Sequence, residues 1–316
     1  MKRTLFSGLT LAVLAVNPAQ QAFAEWKPAG PITLNIAFRA GGGTDTQARL
    51  VGEALSEKKG WKFIYKNITG KGGANLARAM KGARADGLTI GMAVTETFTY
   101  VPLISKKAGY TWDDFDYIIT TAPTQMGLVV LADSGWKTME DVAKAAKDGK
   151  KLKFAAMSPR LADGAYVIGK KYGIKFNTVS ARGGRGVLNA LMAKDVDLGF
   201  IAGIHVKGIK AGQLVNVLSA EGSRLRMSPD VPTMKEVGIP YDFGVKFLVF
   251  APKGIPADAK KAYAEAFASV LNDKNSKARK FVERAFGVPP LQVGAELDKL
   301  ISDSIADNKK MLVSIN

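Results

Sequence analysis

Five consecutive residues, Gly41-Gly42-Gly43-Thr44-Asp45, carry the clearest chemical possibility in this 316-residue chain. Their chemistry is that of holding an anion. Three glycines remove every Cβ from a turn, so the backbone can bend sharply and bring bare N–H groups against a ligand. Thr44 and Asp45 stand where helix N-caps stand, ahead of Ala48, Leu50 and Val51 on one side of a predicted helix. A helix start has unpaired donors and a partial positive charge, which suits it to a carboxylate or a phosphate. A tight strand-to-helix turn with no ligand fits the same residues. A second glycine loop runs from Asn67 to Asn75 and includes Gly70, Gly72, Gly73 and Ala74. It too leads from an expected strand into an expected helix, but it has neither dinucleotide-binding nor P-loop spacing.

Other site chemistries fail on residue counts. The chain has one histidine, His205, and no cysteine, so a thiolate metal site, a disulfide and a His-rich zinc site are excluded. A Ser-His-Asp hydrolase would need His205 as base, and no G-x-S-x-G elbow accompanies it. His205 therefore reads as structural. Asp113-Asp114 and Glu140-Asp141 are sequence neighbours, so each pair points in two directions and neither forms an acid/base dyad by itself.

The elements that must position the glycine loops follow from hydrophobic spacing. Ile32, Leu34, Ile36 and Phe38 alternate as a strand, and Lys62 to Tyr65 and Leu88 to Val94 supply two more. Thr95, Glu96 and Thr97 follow the third, where polar side chains can face the same cleft. Two glycine loops meet at one edge of a parallel sheet, since ligands in open α/β sheets sit beyond the carboxyl ends of the strands. Tyr117 to Thr121 and Met126 to Ala132 read as strands crossing into a second unit. That unit repeats the grammar: strand Leu152 to Ala156, loop Met157 to Gly164, helix Tyr166 to Tyr172, strand Phe176 to Val179, loop Ala181 to Gly186, helix Val187 to Ala193, strand Asp197 to Ile201. Strand Val245 to Ala251 and helices over Ala257 to Asn272, Ser276 to Ala285 and Val293 to Met311 end the chain. The expected class is α/β, in two doubly wound domains with a ligand cleft between them.

Residues 1–24 have Lys2 and Arg3, an apolar run from Leu5 to Val16 and an Ala22-Phe23-Ala24 ending, the three-part pattern of a cleaved secretory signal peptide. The expected mature protein is exported and begins near Glu25. The net charge is +17, and +15 once Lys2 and Arg3 leave with the leader. That balance favours anionic partners. The cations are dispersed and lack an aromatic series, so nucleic acid is not expected.

The same segments together resemble the Bug family, the extracytoplasmic solute receptors of tripartite tricarboxylate transporters. The resemblance rests on six marks in order: Pro31-Ile32 leading to Phe38–Asp45, Asn67–Asn75, Ala85-Asp-Gly-Leu-Thr89, Asp195-Val-Asp-Leu198, Ser228-Pro-Asp-Val-Pro-Thr233 and Phe250-Ala-Pro-Lys-Gly-Ile-Pro256. It implies a type II periplasmic-binding-protein fold, with domain 1 from 25–122 and 247–316 and domain 2 from 123–246. It also implies a monomer in the periplasm without cofactor, metal or enzymatic activity, binding a small organic acid for the membrane permease subunits. A signalling partner in place of the permease fits the sequence equally well.

Carried over by position, Ala40 to Asp45 and Gly70 to Asn75 hold a ligand carboxylate, with Asp45 capping the helix behind it. Thr95 and Thr97 line the cleft, and Ser158, Arg160, Arg182, Gly183 and Gly184 face the ligand from domain 2. Domain 2 departs from the family at Ser158–Ala162, at Ala181–Arg185 and at Ile201, where an aspartate is common. Loss of an acid with gain of Arg160, Arg182 and Arg185 points to a second acidic group on the ligand, because a guanidinium fork matches a carboxylate.

Overall fold

The computed structural model describes residues 26–105 and 107–315. The leader expected over residues 1–24 lies outside them. In chain order the elements are β1 (Ile32–Ile36), α1 (Gly43–Lys59), β2 (Phe63–Asn67), a 3-10 turn (Lys71–Gly73), α2 (Ala74–Lys81), β3 (Thr89–Val94), α3 (Glu96–Thr99), α4 (Val101–Ile104) and β4 (Phe115–Ala122). Then come β5 (Met126–Leu131), α5 (Met139–Lys147), β6 (Lys153–Ala156), α6 (Pro159–Tyr172), β7 (Asn177–Ser180), α7 (Gly183–Met192), β8 (Leu198–Ala202), α8 (Val206–Lys210) and β9 (Leu214–Ser219). The chain closes with β10 (Phe247–Pro252), α9 (Ala257–Asn272), α10 (Lys277–Ala285) and α11 (Gly294–Ile315).

These strands form two five-stranded sheets of one topology, β2-β1-β3-β10-β4 and β7-β6-β8-β5-β9. In each, three parallel strands carry glycine or serine loops, and the fourth runs antiparallel. The antiparallel strand reaches each sheet from the other unit. Pro123–Gln125 lead from β4 straight into β5, and residues 220–246 lead from β9 into β10. The two crossings lie side by side, tied by Thr124 Oγ1, which donates to Val245 O at 3.0 Å and accepts from Val245 N–H at 2.9 Å. The result is a mixed α/β molecule of two units linked by two adjacent strands of chain.

Amphipathic helices bury their apolar stripes on both faces of the first sheet. Ala48, Val51 and Leu55 of α1 and Tyr263, Phe267 and Val270 of α9 pack on one face. Leu76 and Met80 of α2 and Leu297, Ile301 and Ile305 of α11 cover the other, around Phe98, Phe115 and Phe250. Those rings meet edge to face, with Phe98 and Phe250 centroids 4.7 Å apart. In the second unit Val187 and Leu191 of α7 close the sheet against Val129, Ala155 and Ile201.

Helix starts differ from the sequence expectation in an informative way. α6 begins at Pro159, seven residues before Tyr166. Ser158 caps it by accepting from Leu161 N–H at 3.3 Å, and Pro159 sits at the first helical position, where its missing N–H costs nothing. α7 likewise begins at Gly183 and α1 at Gly43, with Gly42 in extended conformation as its cap residue. Strand β9 and the short helices α3, α4 and α8 add to the elements read from spacing.

Candidate functional site

The carboxyl ends of β1, β3 and β8 and the amino ends of the antiparallel β5 and β10 share one edge, and there the two units face each other. A cavity of ≈ 60 Å³ lies between them. Its first-unit wall is Phe38, Arg39, Gly42, Gly43, Thr44, Val94, Glu96 and Phe247. The opposite wall includes Met157, Leu161, Arg182, Gly183, Gly184, Arg185, Ala202 and Ile204, and Thr124, Met126 and Val245 of the crossings complete it.

Two helix starts therefore meet on one small space. In α1 the first intrahelical bond is Thr46 N–H to Gly42 O, so the N–H groups of Gly43, Thr44 and Asp45 precede it. Asp45 holds the turn from beneath. Its carboxylate accepts from Gly41 N–H, Arg49 Nε and Asn67 Nδ2, each at 2.9 Å. α7 presents Gly183 and Gly184 from the other side, and there is little room to spare. A Cβ at Gly43 would come within 2.5 Å of Phe286 Cζ, and one at Gly183 within 3.4 Å of Phe38. Arg185 Nη2 donates to Gly41 O at 3.0 Å across the mouth. Arg39, Arg182 and Arg185 are exposed at the rim while the interior is mainly apolar.

The second glycine loop borders an adjoining cavity of ≈ 450 Å³, with Gly70, Lys71 and Gly72 opposite Ser158 and Pro159. Phe38, Met157, Arg182 and Gly183 line both spaces, so the two are neighbours across these residues. Of the residues expected from sequence, Gly42, Gly43, Thr44, Arg182, Gly183 and Gly184 line the smaller cavity, and Gly70, Gly72 and Ser158 the larger. The others stand elsewhere. Ala40 is exposed, and Gly41 borders an outer groove. Asp45 lies under the turn. Gly73 and Ala74 are buried behind their loop, and Asn75 Nδ2 donates to Thr69 O.

Thr97 supports the loop, its hydroxyl donating to Gly72 O at 2.8 Å. Thr95 exchanges hydrogen bonds with Lys246 at the crossing. Arg160 turns away from both spaces. Its guanidinium donates to Asn308 Oδ1 at 2.9 Å and to Asp242 O, and stacks over Phe243. The reason is its place on α6, two residues past the Ser158 cap, where the helix directs it into the body of the protein.

Sequence reading set Glu96 beside Thr95 and Thr97 toward the cleft but gave it no role in binding; it is 5% exposed and lines the smaller cavity. Burial pushes its carboxyl above the ordinary range, against the pull of the Arg160 charge and the Ser158 hydroxyl. Of the apolar wall residues, Phe38 and Val94 were legible only as strand ends and Met157 only as the start of a loop. His205 lies outside, buried, with Nε2 3.0 Å from Asn216 Oδ1, and burial holds its pKa down at about 4. No cluster of three or more potential metal ligands occurs among the described residues.

Comparison with known proteins agrees with this architecture. The model of the tripartite tricarboxylate transporter family receptor matches residues 47–316. A Cupriavidus necator protein described as a UPF0065 protein in the gbd 5' region is 31% identical over 271 residues, 83% of this chain and 80% of its own. The periplasmic binding protein BugD superposes with a TM-score of 0.82 at 21% identity, covering 92% of this chain and 98% of its own. MatC of Rhodopseudomonas palustris, solved with bound malate, gives 0.81 at 22% identity over 90% and 99%. The chain is thus a receptor rather than an enzyme, and it belongs to the tripartite tricarboxylate transporter receptor family.

Proposed function

We propose that this protein is an exported, monomeric receptor that binds a small organic anion between its two units and delivers it to membrane permease subunits. The observation that carries this reading is the meeting of the α1 and α7 starts on one apolar cavity rimmed by Arg39, Arg182 and Arg185. Each helix start contributes roughly half a positive charge and free N–H donors, so an anion is held from both sides. A hydrogen bond to a charged group contributes about 1.5–3 kcal/mol, and several such donors suffice for firm binding. The malate in MatC supports the carboxylate class. The proposed units are residues 25–122 with 247–316, and 123–246. Bending at the paired crossings opens the cleft, and closure forms the face that the permease recognises.

A thermal-shift screen of the chain from Glu25 onward tests the reading. An acid at 100 times its dissociation constant adds about 2.7 kcal/mol of stability, and neutral ester analogues add nothing. Shifts from the esters alone would overturn it.

A further inference from the structure

Glu96 is the one acidic side chain among the described residues lining the smaller cavity. Around it stand the first-turn N–H groups of two helices and three arginines, which are donors without acceptor capacity. Its Oε2 atom is buried and has no hydrogen-bond partner among the described residues. A buried carboxylate oxygen left unmatched is costly, so a ligand donor toward which the Glu96 carboxyl can turn gains binding free energy. Glu96 also borders a cavity of ≈ 500 Å³ on its far side, where Arg160 lies, and Arg160 Nη1 is likewise unmatched. The Arg160 charge behind the carboxyl balances Glu96 where an anion must approach it.

We propose that Glu96 is the specificity-determining acceptor for an O–H or N–H donor on the ligand's carbon chain. This rests on the anion-receptor reading and narrows it: the ligand is a hydroxy- or amino-substituted acid. A plain acid of the same length satisfies the helix starts but leaves Glu96 unmatched and exposes it to a second negative charge. The substituted acid satisfies both. A hydroxyl or an ammonium group supplies the same contact, and the experiment separates them.

The test is titration calorimetry at constant pH with matched series from three to six carbons, each the plain diacid, its 2-hydroxy form and its 2-amino form. In the wild-type protein a hydroxy or amino member binds at least tenfold more tightly than the plain diacid of its length. In Glu96→Gln, which keeps the shape and removes the charge, that preference falls to within threefold. The amino series falls furthest if the donor is an ammonium. Wild-type protein binding a plain diacid as tightly as its substituted forms overturns this inference and leaves the anion-receptor reading standing. An unchanged preference in Glu96→Gln does the same, since Glu96 then serves only as the counter-charge of Arg160. No binding by any acid overturns both.

Discussion

His205 is buried and Glu221 half-buried, and their pKa values move in opposite directions. Burial lowers His205 from 6.5 to about 4, and burial raises Glu221 from 4.5 to about 7, although Met126 N–H donates to its carboxylate at 2.7 Å. For His205 the unfolded chain binds the extra proton between pH 6.5 and 4, so its contribution to stability is present above that window and lost as pH falls through it. For Glu221 the folded state binds the extra proton between pH 4.5 and 7, so its contribution is lost as pH rises. Each effect is on the order of 3 kcal/mol, and where the windows overlap they offset one another. Urea unfolding from pH 4 to 7 should therefore separate them in single variants. Stability of Glu221→Gln rises with pH relative to wild type, and that of His205→Asn falls; parallel curves for all three proteins would contradict the assignment. From sequence His205 was legible as structural because it had no chemical partner nearby. Glu96 was legible only as a polar residue facing the cleft, and Glu221 not at all, because what matters in each is its contact with distant residues.

At the scale of elements, the glycine turn before α1 is set by Asp45 from the third position of α1. The glycines, the following Thr-Asp and the helix after them were readable, since turn and cap chemistry is local. Which residue begins the helix was not: Gly42 occupies the cap position, and Asp45 reaches back to Gly41 N–H. The Ser158-Pro159 start of α6 carried a readable signal in its Ser-Pro pair, yet the apolar spacing from Tyr166 onward placed the helix too late. Asp45→Ala removes three hydrogen bonds from one buried carboxylate and should destabilise the fold by about 2 kcal/mol, with Asp45→Asn intermediate. Denaturant midpoints for the three proteins check this order. A wild-type midpoint in Asp45→Ala would show that the turn stands without its cap.

Across the whole molecule, the repeated strand-loop-helix grammar made two α/β units and a cleft at the strand ends legible. The sharing of that cleft was not, because it depends on how the units face each other. Sequence placed both first-unit glycine loops on one carboxylate. In the structure α1 meets α7 at the smaller cavity, while the Gly70–Gly72 loop meets α6 at the adjoining one. This geometry also selects the clean probe. A Cβ at Gly73 would come 2.5 Å from Thr97 Oγ1 at a left-handed φ of 94°, so a larger residue there damages the loop itself. At Gly184 the nearest atom to a new Cβ is Ile204 Cδ1 at 3.5 Å, ordinary contact, and the added methyls project at a helix start on the cavity wall. Calorimetric titration of wild type and Gly184→Val, at low salt, with the acid that gives the largest shift in the thermal screen is the most direct test. The account predicts one saturable site per chain in the wild type and at least a hundredfold weaker binding in the variant, at an unchanged melting temperature. Equal affinity in the two proteins would contradict a ligand held between the α1 and α7 starts.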